Sequence, residues 1–386
     1  MFLDYLKKEI IKKKALKELG QLKDKKGFLK AGLPRFNRLF GRDSLISAWQ
    51  LLDKKPGICQ ATLEVLSQLQ GKVFNKEREE EPGKIIHETN LGKHSHLKNH
   101  FPFPYFGSVD STPLFLILFS FYYRKTKNIK FLNRHWKNIL MALHWMEECG
   151  DRDKDLFLEY ERKNPKGLFH QAWKDSSENT LRIKPPVAMV EVQGYQYLAL
   201  KEISWLAEIK QDQDLAEKLE QKTEKLKNKF NKEFWMENEK YFALALDKQK
   251  KHRKAITSNP GHLLFTGILN KDKADFIVTR LFKKELFTPF GIRTHSSLEP
   301  DFNARSYHLG AVWPHDNWII AQGLKKMGYQ EEYKRIKNAI MLAYNEIGFL
   351  PEFYGVINGK VTLEMRNKPC YPQAWSSAAL FNFLSD

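Results

Sequence analysis

The sequence predicts an all-α protein, an (α/α)6 toroid in which six helical hairpins form a double ring and long loops make a funnel on one face. Three observations lead there. Apolar residues recur at three- and four-residue spacing over twelve separate stretches. Short links join most of these stretches in pairs. Much longer, aromatic-rich segments separate the pairs.

Apolar spacing, caps and breakers place helices at about 4–23, 44–54, 57–70, 110–124, 128–149 and 186–208, then at about 212–235, 260–269, 272–284, 307–327, 330–347 and 373–384. The short links are Lys54-Lys55-Pro56-Gly57, Lys125 to Asn128, Ile209 to Gln211, Asn270-Lys271 and Met327-Gly328-Tyr329. Connections of that length make antiparallel neighbours. The long segments cover about 24–43, 71–109, 150–185, 236–259, 285–306 and 348–372. They are rich in Trp, Phe, Tyr, His, Pro and Gly, a composition that favours function over disorder. Each leads into an even-numbered helix, so a closed ring brings all six loops to the N-terminal ends of the inner helices. A solenoid shows the same alternation, but no residue pattern repeats from pair to pair. No Pro/Gly/Ser linker divides the chain, which reads as a single domain over 1–386.

Composition narrows the function classes. With 386 residues, 42% of them hydrophobic, the chain can bury a large core. No run of eighteen apolar residues exists, so no membrane span is expected. The start, MFLDYLKKEIIKKK, is charged throughout and lacks the apolar stretch of a signal peptide. Cys59, Cys149 and Cys370 show neither metal spacing nor a disulfide framework, and the expected compartment is the cytoplasm. A net charge of +18 invites a polyanion. Yet in KKEIIKKKALKEL and EKLEQKTEKLKNKFNKEF, Lys and Glu alternate around apolar positions, the pattern of solvated helix faces. No nucleic-acid motif accompanies the charge, so no specific nucleic-acid partner is expected. GxGxxG and GxxxxGK[ST] are absent, and no nucleotide cofactor is implied. The histidines of KHSHLKNH (93–100) have poor metal spacing, and His87-Glu88 is not HExxH, so no metal is expected.

The loops carry the chemistry. FNRLFGRDSL (36–45), PGKIIHETN (82–90), PYFGSVDSTP (104–113) and HQAWKDSS (170–177) come from the first half. SNPGHLL (258–264), FGIRTHSS (290–297), ARSYHLGAVWPHDNW (304–318), FLPEFYG (349–355) and CYPQAWS (370–376) come from the second. Aromatic rings mixed with Asp, Glu, Arg, His and Asn suit a carbohydrate, whose C–H faces stack on rings and whose hydroxyls bond to charged groups. Asp43 is placed to cap the helix SLISAWQLL or to hold a sugar beside Arg42, and one residue can do both. Asp110 before STPLF has the same two readings.

Glycosidic cleavage needs one protonated and one ionised carboxyl. The protonated one requires apolar shielding, which Asp175 finds beside Trp173, provided Lys174 points elsewhere. Its partner from across the funnel is Glu352, framed by Pro351 and Phe353. Glu191 in MVEVQGYQY lies within a helix and reads as a buried partner or a subsite ligand, with Gln193 in the same motif.

FGRDS, GSVDSTPLF, GLFHQAWKDS, EVQGYQY, NPGHLL, YHLGAVWPHDN, LPEFYG and CYPQAWS, in this order, resemble the amylo-α-1,6-glucosidase region of glycogen debranching enzymes and related proteins over about residues 32–376. The resemblance implies the toroid, and inverting hydrolysis of α-glucosidic bonds without metal or cofactor. By position it implies Asp175 as general acid and Glu352 as general base. It places Arg42 and Asp43 on the terminal glucose, and His87, Glu88, His308, Trp313, His315, Asp316, Gln373 and Trp375 around the pocket. Two departures stand out. His170-Gln171-Ala172-Trp173 replaces Asn-Gln-Gly-Trp, and Thr89-Asn90 follows His87-Glu88 where an arginine is usual. Both touch the expected pocket and leave the sugar open. The leading expectation is an inverting, exo-acting α-glucosidase for α-1,6 or related bonds in glycogen-derived or short oligosaccharides. A toroidal hydrolase of trehalose, sucrose, glucosylglycerate or mannosylglycerate is the alternative, with Arg293 and Arg305 available for a glycerate carboxylate. A non-catalytic carbohydrate-binding toroid is a third reading.

Overall fold

The computed structural model describes residues 2–91 and 102–386, so His94, His96 and His100 of the histidine cluster lie outside the described residues. The helices are α1 (Phe2–Leu22), α2 (Gly41–Leu51), α3 (Pro56–Leu69), α4 (Ser111–Thr126), α5 (Ile129–Trp145), α6 (Val190–Ile209), α7 (Gln213–Glu233), α8 (Lys271–Leu281), α9 (Pro314–Met327), α10 (Gln330–Ile347) and α11 (Ala374–Ser385). A 3₁₀ segment, Asn259–Phe265, completes the set.

Packing arranges these as two rings. Around the inner one, α2 touches α4, α4 touches α6, α6 touches the 3₁₀ segment, that segment touches α9, α9 touches α11, and α11 returns to α2. Each inner element carries an outer partner: α3 on α2, α5 on α4, α7 on α6, α8 on the 3₁₀ segment, α10 on α9, and α1 on α11. The first and last helices thus form the sixth hairpin, as an (α/α)6 toroid requires.

The residue patterns explain which helices go inside. In α4 every side chain from Ser111 to Ser120 is buried, because STPLFLILFS is apolar or small all round. In α7 only Ala216, Leu219, Thr223, Leu226, Phe230 and Asn231 are buried. Its lysines and glutamates face outward, as solvated faces do.

Boundaries differ from the expected ones at breakers. The eighth helix is the short 3₁₀ segment instead of an α-helix over 260–269. Pro260 and Gly261 open it, and all seven of its residues are buried. The sixth starts at Val190 because Ala188–Met189 pairs as a strand with Ala245–Leu246. The tenth starts at Pro314 instead of 307, with proline in the first turn where its missing N–H is harmless. A single π-turn, Met146–Gly150, ends α5.

Helix α9 approaches the 3₁₀ segment so closely that a Cβ on Gly323 would lie 2.6 Å from Leu264 Cβ and 2.8 Å from the Phe265 amide nitrogen. Gly323→Ala should therefore destabilise the protein by about 1–3 kcal/mol in urea unfolding. Gly57→Ala, in an exposed turn of α3 with nothing within 4 Å of the new methyl, should be neutral or stabilise by up to about 1 kcal/mol. Equal effects at the two sites would contradict this packing.

Candidate active site

Backbone pairing draws the loops together. Leu39–Phe40 runs antiparallel to Glu88–Thr89, with Phe40 opposite Glu88. The Gly41 amide then donates to His87 O at 2.8 Å. A Cβ on Gly41 would sit 2.1 Å from Ile86 O, so only glycine lets α2 begin against this strand. The segment after Phe169 folds back on itself: the amides of Phe169 and His170 both donate to Ser176 O, at 2.7 and 3.1 Å. Its tip is fastened by Val109 N donating to Gln171 O at 2.8 Å. Across the ring, Val312 and Tyr354 exchange backbone hydrogen bonds, and Glu352 N donates to Cys370 O at 2.9 Å.

These loops enclose a cavity of about 580 Å³. Its carboxyl groups are Asp43, Glu88, Asp175 and Glu352. Rings come from Phe36, Phe40, Trp173, Tyr307, Trp313 and Trp375, and cations from Arg35, Arg38, Arg42 and Lys166.

Asp175 is 21% exposed, at the cavity wall. Its Oδ2 accepts from Arg42 Nη2, and His87 Nε2 stands 4.0 Å away. Burial of the carboxyl outweighs the attraction of Arg42 and raises its pKa to about 7. His87 is kept neutral by burial and by the positive charge of Arg42 and Arg38. Lys174 turns away: its Nζ donates to Thr294 O at 2.7 Å, and burial lowers its pKa to about 8. The neighbouring lysine therefore does not oppose protonation of Asp175 by direct contact. Trp173 supplies the apolar wall, stacked on His262 (centroids 5.9 Å apart) and edge-on to His315 at 5.0 Å.

Glu352 is almost fully buried. Oε1 accepts from the Tyr307 hydroxyl. Oε2 accepts from the Cys370 amide at 3.0 Å and from Arg35 Nη2 at 3.3 Å. Burial raises its pKa, and these donors oppose the rise. A carboxyl fed by donors suits the ionised role, and the less supported Asp175 suits the protonated one. Asp43 lies within the first turn of α2 and faces the same cavity. Its pKa rises to about 8 through burial, opposed by Arg42 and reinforced by Asp175 and Glu352.

Neither expected cap is one. The N-cap position of α2 is Phe40, and Asp110 occupies that position of α4 without bonding an amide by its side chain. Asp110 does not line the cavity; it binds Arg42 Nη1 at 3.0 Å through both oxygens and accepts from Ser108 Oγ at 2.7 Å. The cavity does hold Arg42, Asp43, His87, Glu88, Trp173, Trp313 and Trp375. Behind its wall lie Lys174, Glu191, Gln193, His308, His315, Asp316 and Gln373. His315 stacks on Trp375 at 3.8 Å. Asp316 holds His262 at 2.7 Å. His308 stacks on Trp313. The Gln373 amide links Ala31 O to Trp375 Nε1, each at 3.2 Å. Gln193 donates to Leu158 O and Met189 O, and Glu191 is fully buried in α6. These residues are not among those that line the cavity.

The two departures prove indirect as well. His170 hydrogen-bonds Tyr160 at 2.7 Å inside the protein, and burial drops its pKa to about 4. Neither His170 nor Ala172 lines the cavity. Arg293 donates to Val356 O, and Arg305 faces exposed Glu364; neither reaches the cavity. Unforeseen lining residues are Arg35, Phe36, Arg38, Phe40, Lys166, Leu168, Ser176, Ser177, Tyr307 and Asn367. Most lie within motifs already noticed, where proximity to Arg42, Asp175 and Trp313 was their signal, and Arg35 and Lys166 directly precede such motifs. Asn367 had none.

Among the described residues, two groups have the spacing to hold a cation: His295 with Glu299 and Asp301, and Asp151 with Asp153 and Asp155. Neither lines the cavity. Each is already served by a side-chain cation, Arg253 at 2.8 Å from Asp301, and Lys250 at 2.8 Å from Asp153 and 3.1 Å from Asp155.

Comparison with known proteins agrees with the toroid. The chain superimposes on a GH63 mannosylglycerate hydrolase from Thermus thermophilus in complex with Tris, with a TM-score of 0.74 and 15% identity over 97% of this chain and 100% of that one. The complex of that hydrolase with Tris and D-glycerate gives 0.74 and 14% over the same shares. In sequence, mannosylglycerate hydrolases MGH1 and MGH2 of Selaginella moellendorffii are each 31% identical over 97 residues, 25% of this chain and 20% of each relative. The match thus spans a fifth of the length of those relatives. The model of the mannosylglycerate hydrolase MGH1-like glycoside hydrolase domain matches residues 108–359, more than half of the chain and a stretch that includes Asp175 and Glu352. The chain belongs to this glycoside hydrolase family.

Proposed function

We propose that the protein hydrolyses a small glycoside whose leaving group carries a carboxylate, such as a mannosyl- or glucosylglycerate, with inversion at the anomeric carbon. Asp175 gives its proton to the glycosidic oxygen, the aglycone leaves as an alcohol, and Glu352 takes a proton from the water that attacks the opposite face. Asp43 lies beside these groups to bind the sugar hydroxyls, Arg42 holds Asp175 from behind, and Trp173, Trp313 and Trp375 offer stacking faces. Residues 1–386 act as one catalytic unit.

One observation carries the choice of leaving group. Arg35, Arg38 and Lys166 line the same cavity as Asp175 and Glu352. Arg35 is 40% exposed although one of its nitrogens already donates to Glu352, and Lys166 is exposed, so a solvent-facing cation is available to an incoming anion. Arg293 and Arg305, the arginines first expected in that role, point elsewhere. A neutral α-1,6-linked glucose unit brings no charge for these cations to neutralise. The names of the relatives support the same reading.

Release of the free sugar from mannosylglycerate, glucosylglycerate, isomaltose, panose, maltose, trehalose and sucrose tests it. The glycerates should be cut fastest, and preference for isomaltose or panose would return the reading to an α-1,6-glucosidase. Lys166→Glu should raise KM for the glycerate substrate about tenfold (~1.4 kcal/mol) with little change for an activated neutral glycoside. Equal losses on both would remove Lys166 from the leaving-group site.

Asp175→Asn and Glu352→Gln should each lower kcat on an unactivated substrate by about 10²–10⁴-fold in folded protein. Retained activity in either would refute its role. The pH profile follows from the same pair. Asp175 must be protonated, so activity falls as pH rises through about 7. Glu352 must be ionised, and its raised pKa puts the acidic limb above the ordinary glutamate range. A rate that keeps rising above pH 9 would be inconsistent with this assignment.

A further inference from the structure

We infer that Asp110 is a positioning residue for the general acid, acting through Arg42 without touching the substrate. This rests on the assignment of Asp175 as the acid.

The geometry is a buried relay. Arg42 and Asp110 are both nearly inaccessible to solvent. Arg42 Nη1 donates to both oxygens of Asp110 at 3.0 Å, which fixes the plane of the guanidinium. The outward nitrogen, Nη2, then meets Oδ2 of Asp175. With Oδ2 held, Oδ1 is the oxygen left for the glycosidic bond. Asp110 is itself clamped: Ser108 Oγ donates to its Oδ1 at 2.7 Å, and Ser108 Oγ lies 2.7 Å from Ser111 Oγ. The neighbouring Val109 amide grips Gln171 O, so the loops bearing Asp110 and Asp175 share one frame.

Asp110 also has an electrostatic task. A lone buried guanidinium against Asp175 would hold the acid ionised, which defeats a proton donor. The Asp110 carboxylate on the other edge of Arg42 offsets that positive charge. The remaining charged and titratable groups of the cavity around Asp175 are Asp43 on α2, neutral His87 and Glu88 on the second loop, Tyr307 and Glu352 across the cavity, and the cations Arg35, Arg38 and Lys166 on its lining. Lys174 points away. Arg42 is thus the cation in contact with Asp175 Oδ2, and Asp110 is the anion in contact with Arg42 on the side away from the cavity.

The test is the pH–rate profile of Asp110→Asn with the substrate cut fastest by the wild type. With the offsetting charge gone, Arg42 acts on Asp175 at full strength. The basic limb should move about one unit to lower pH, and kcat at pH 7 should fall about tenfold or more. Affinity for the product monosaccharide, read by competitive inhibition, should change less than about twofold, since Asp110 does not touch sugar. An unmoved basic limb, or one moved to higher pH, overturns the inference, and so does a loss of product affinity that matches the loss of kcat. If Asp110→Asn does not fold, Asp110→Glu decides. With charge kept and geometry lengthened, it should lower kcat while leaving the limb and the product affinity in place, and a shifted limb or lost affinity is the contrary result. Failure of the underlying assignment shows separately, as an active Asp175→Asn.

Discussion

A single guanidinium, Arg42, is buried at the floor of a cavity that also contains three strongly desolvated carboxyl groups. Taking a charge out of water is costly unless partners replace the solvent. Arg42 meets that demand by binding Asp110 behind the cavity and Asp175 within it. The consequences spread outward. Asp110 must stand at the start of α4 and Arg42 at the start of α2, so the two inner helices are held side by side at their N-terminal ends. Asp175 must come from a loop folded tightly enough to reach them, which the paired amides of Phe169 and His170 on Ser176 O achieve.

The aromatic wall answers a second constraint, that the carboxyl proposed as proton donor be shielded from water. Trp173 reaches this only because the residues behind it are packed in turn: His262 against it, Asp316 and Tyr195 on the nitrogens of His262, His315 stacked on Trp375. Polar residues that look like ligands in a motif can therefore serve as masonry. Asp316 and His315 belong to the motif Trp-Pro-His-Asp, yet neither reaches the cavity. What the motif specifies is the position of Trp313 and the helix start at Pro314.

This separates what could be read in the sequence from what could not. Helical spacing and short links gave away five hairpins and left the first and last helices over for the sixth, because each stretch has an apolar stripe and a recognisable breaker. That Asp175 and Glu352 would face one cavity was legible because a carboxyl flanked by Trp or by Pro and Phe has no cheap structural excuse. Side-chain direction was not legible. Lys174 and His170 sit beside Asp175 and Trp173 in sequence and face away in space, and Arg293 and Arg305 are spent on Val356 O and Glu364. The short strands were also hidden, being two or three residues long, although Asn358-Gly359, both with positive φ, marks the turn between Gly355–Ile357 and Lys360–Thr362 in the way such hairpins require.

The charge balance of the cavity also bears on how the site waits for its substrate. Asp43 and Asp175 have pKa values raised to about 8 and about 7, largely by burial, and the charge of Asp175 adds to the rise at Asp43. Two carboxyls so coupled lose their protons in steps that belong to the pair. Between about pH 7 and 8 the pair therefore carries about one proton before any substrate arrives. Arg42 lies against Asp175 and beside Asp43 in α2, and opposes both rises. A sugar entering the cavity displaces water and strengthens every one of these interactions. Its hydroxyls can take up the ionised charge of Asp43, which favours leaving the proton on Asp175, beside the bond to be cut. On this view the second aspartate of the cavity is a place for the charge to go, and the tight loop from Phe169 to Ser176 holds Asp175 against Arg42 on the wall of the same cavity.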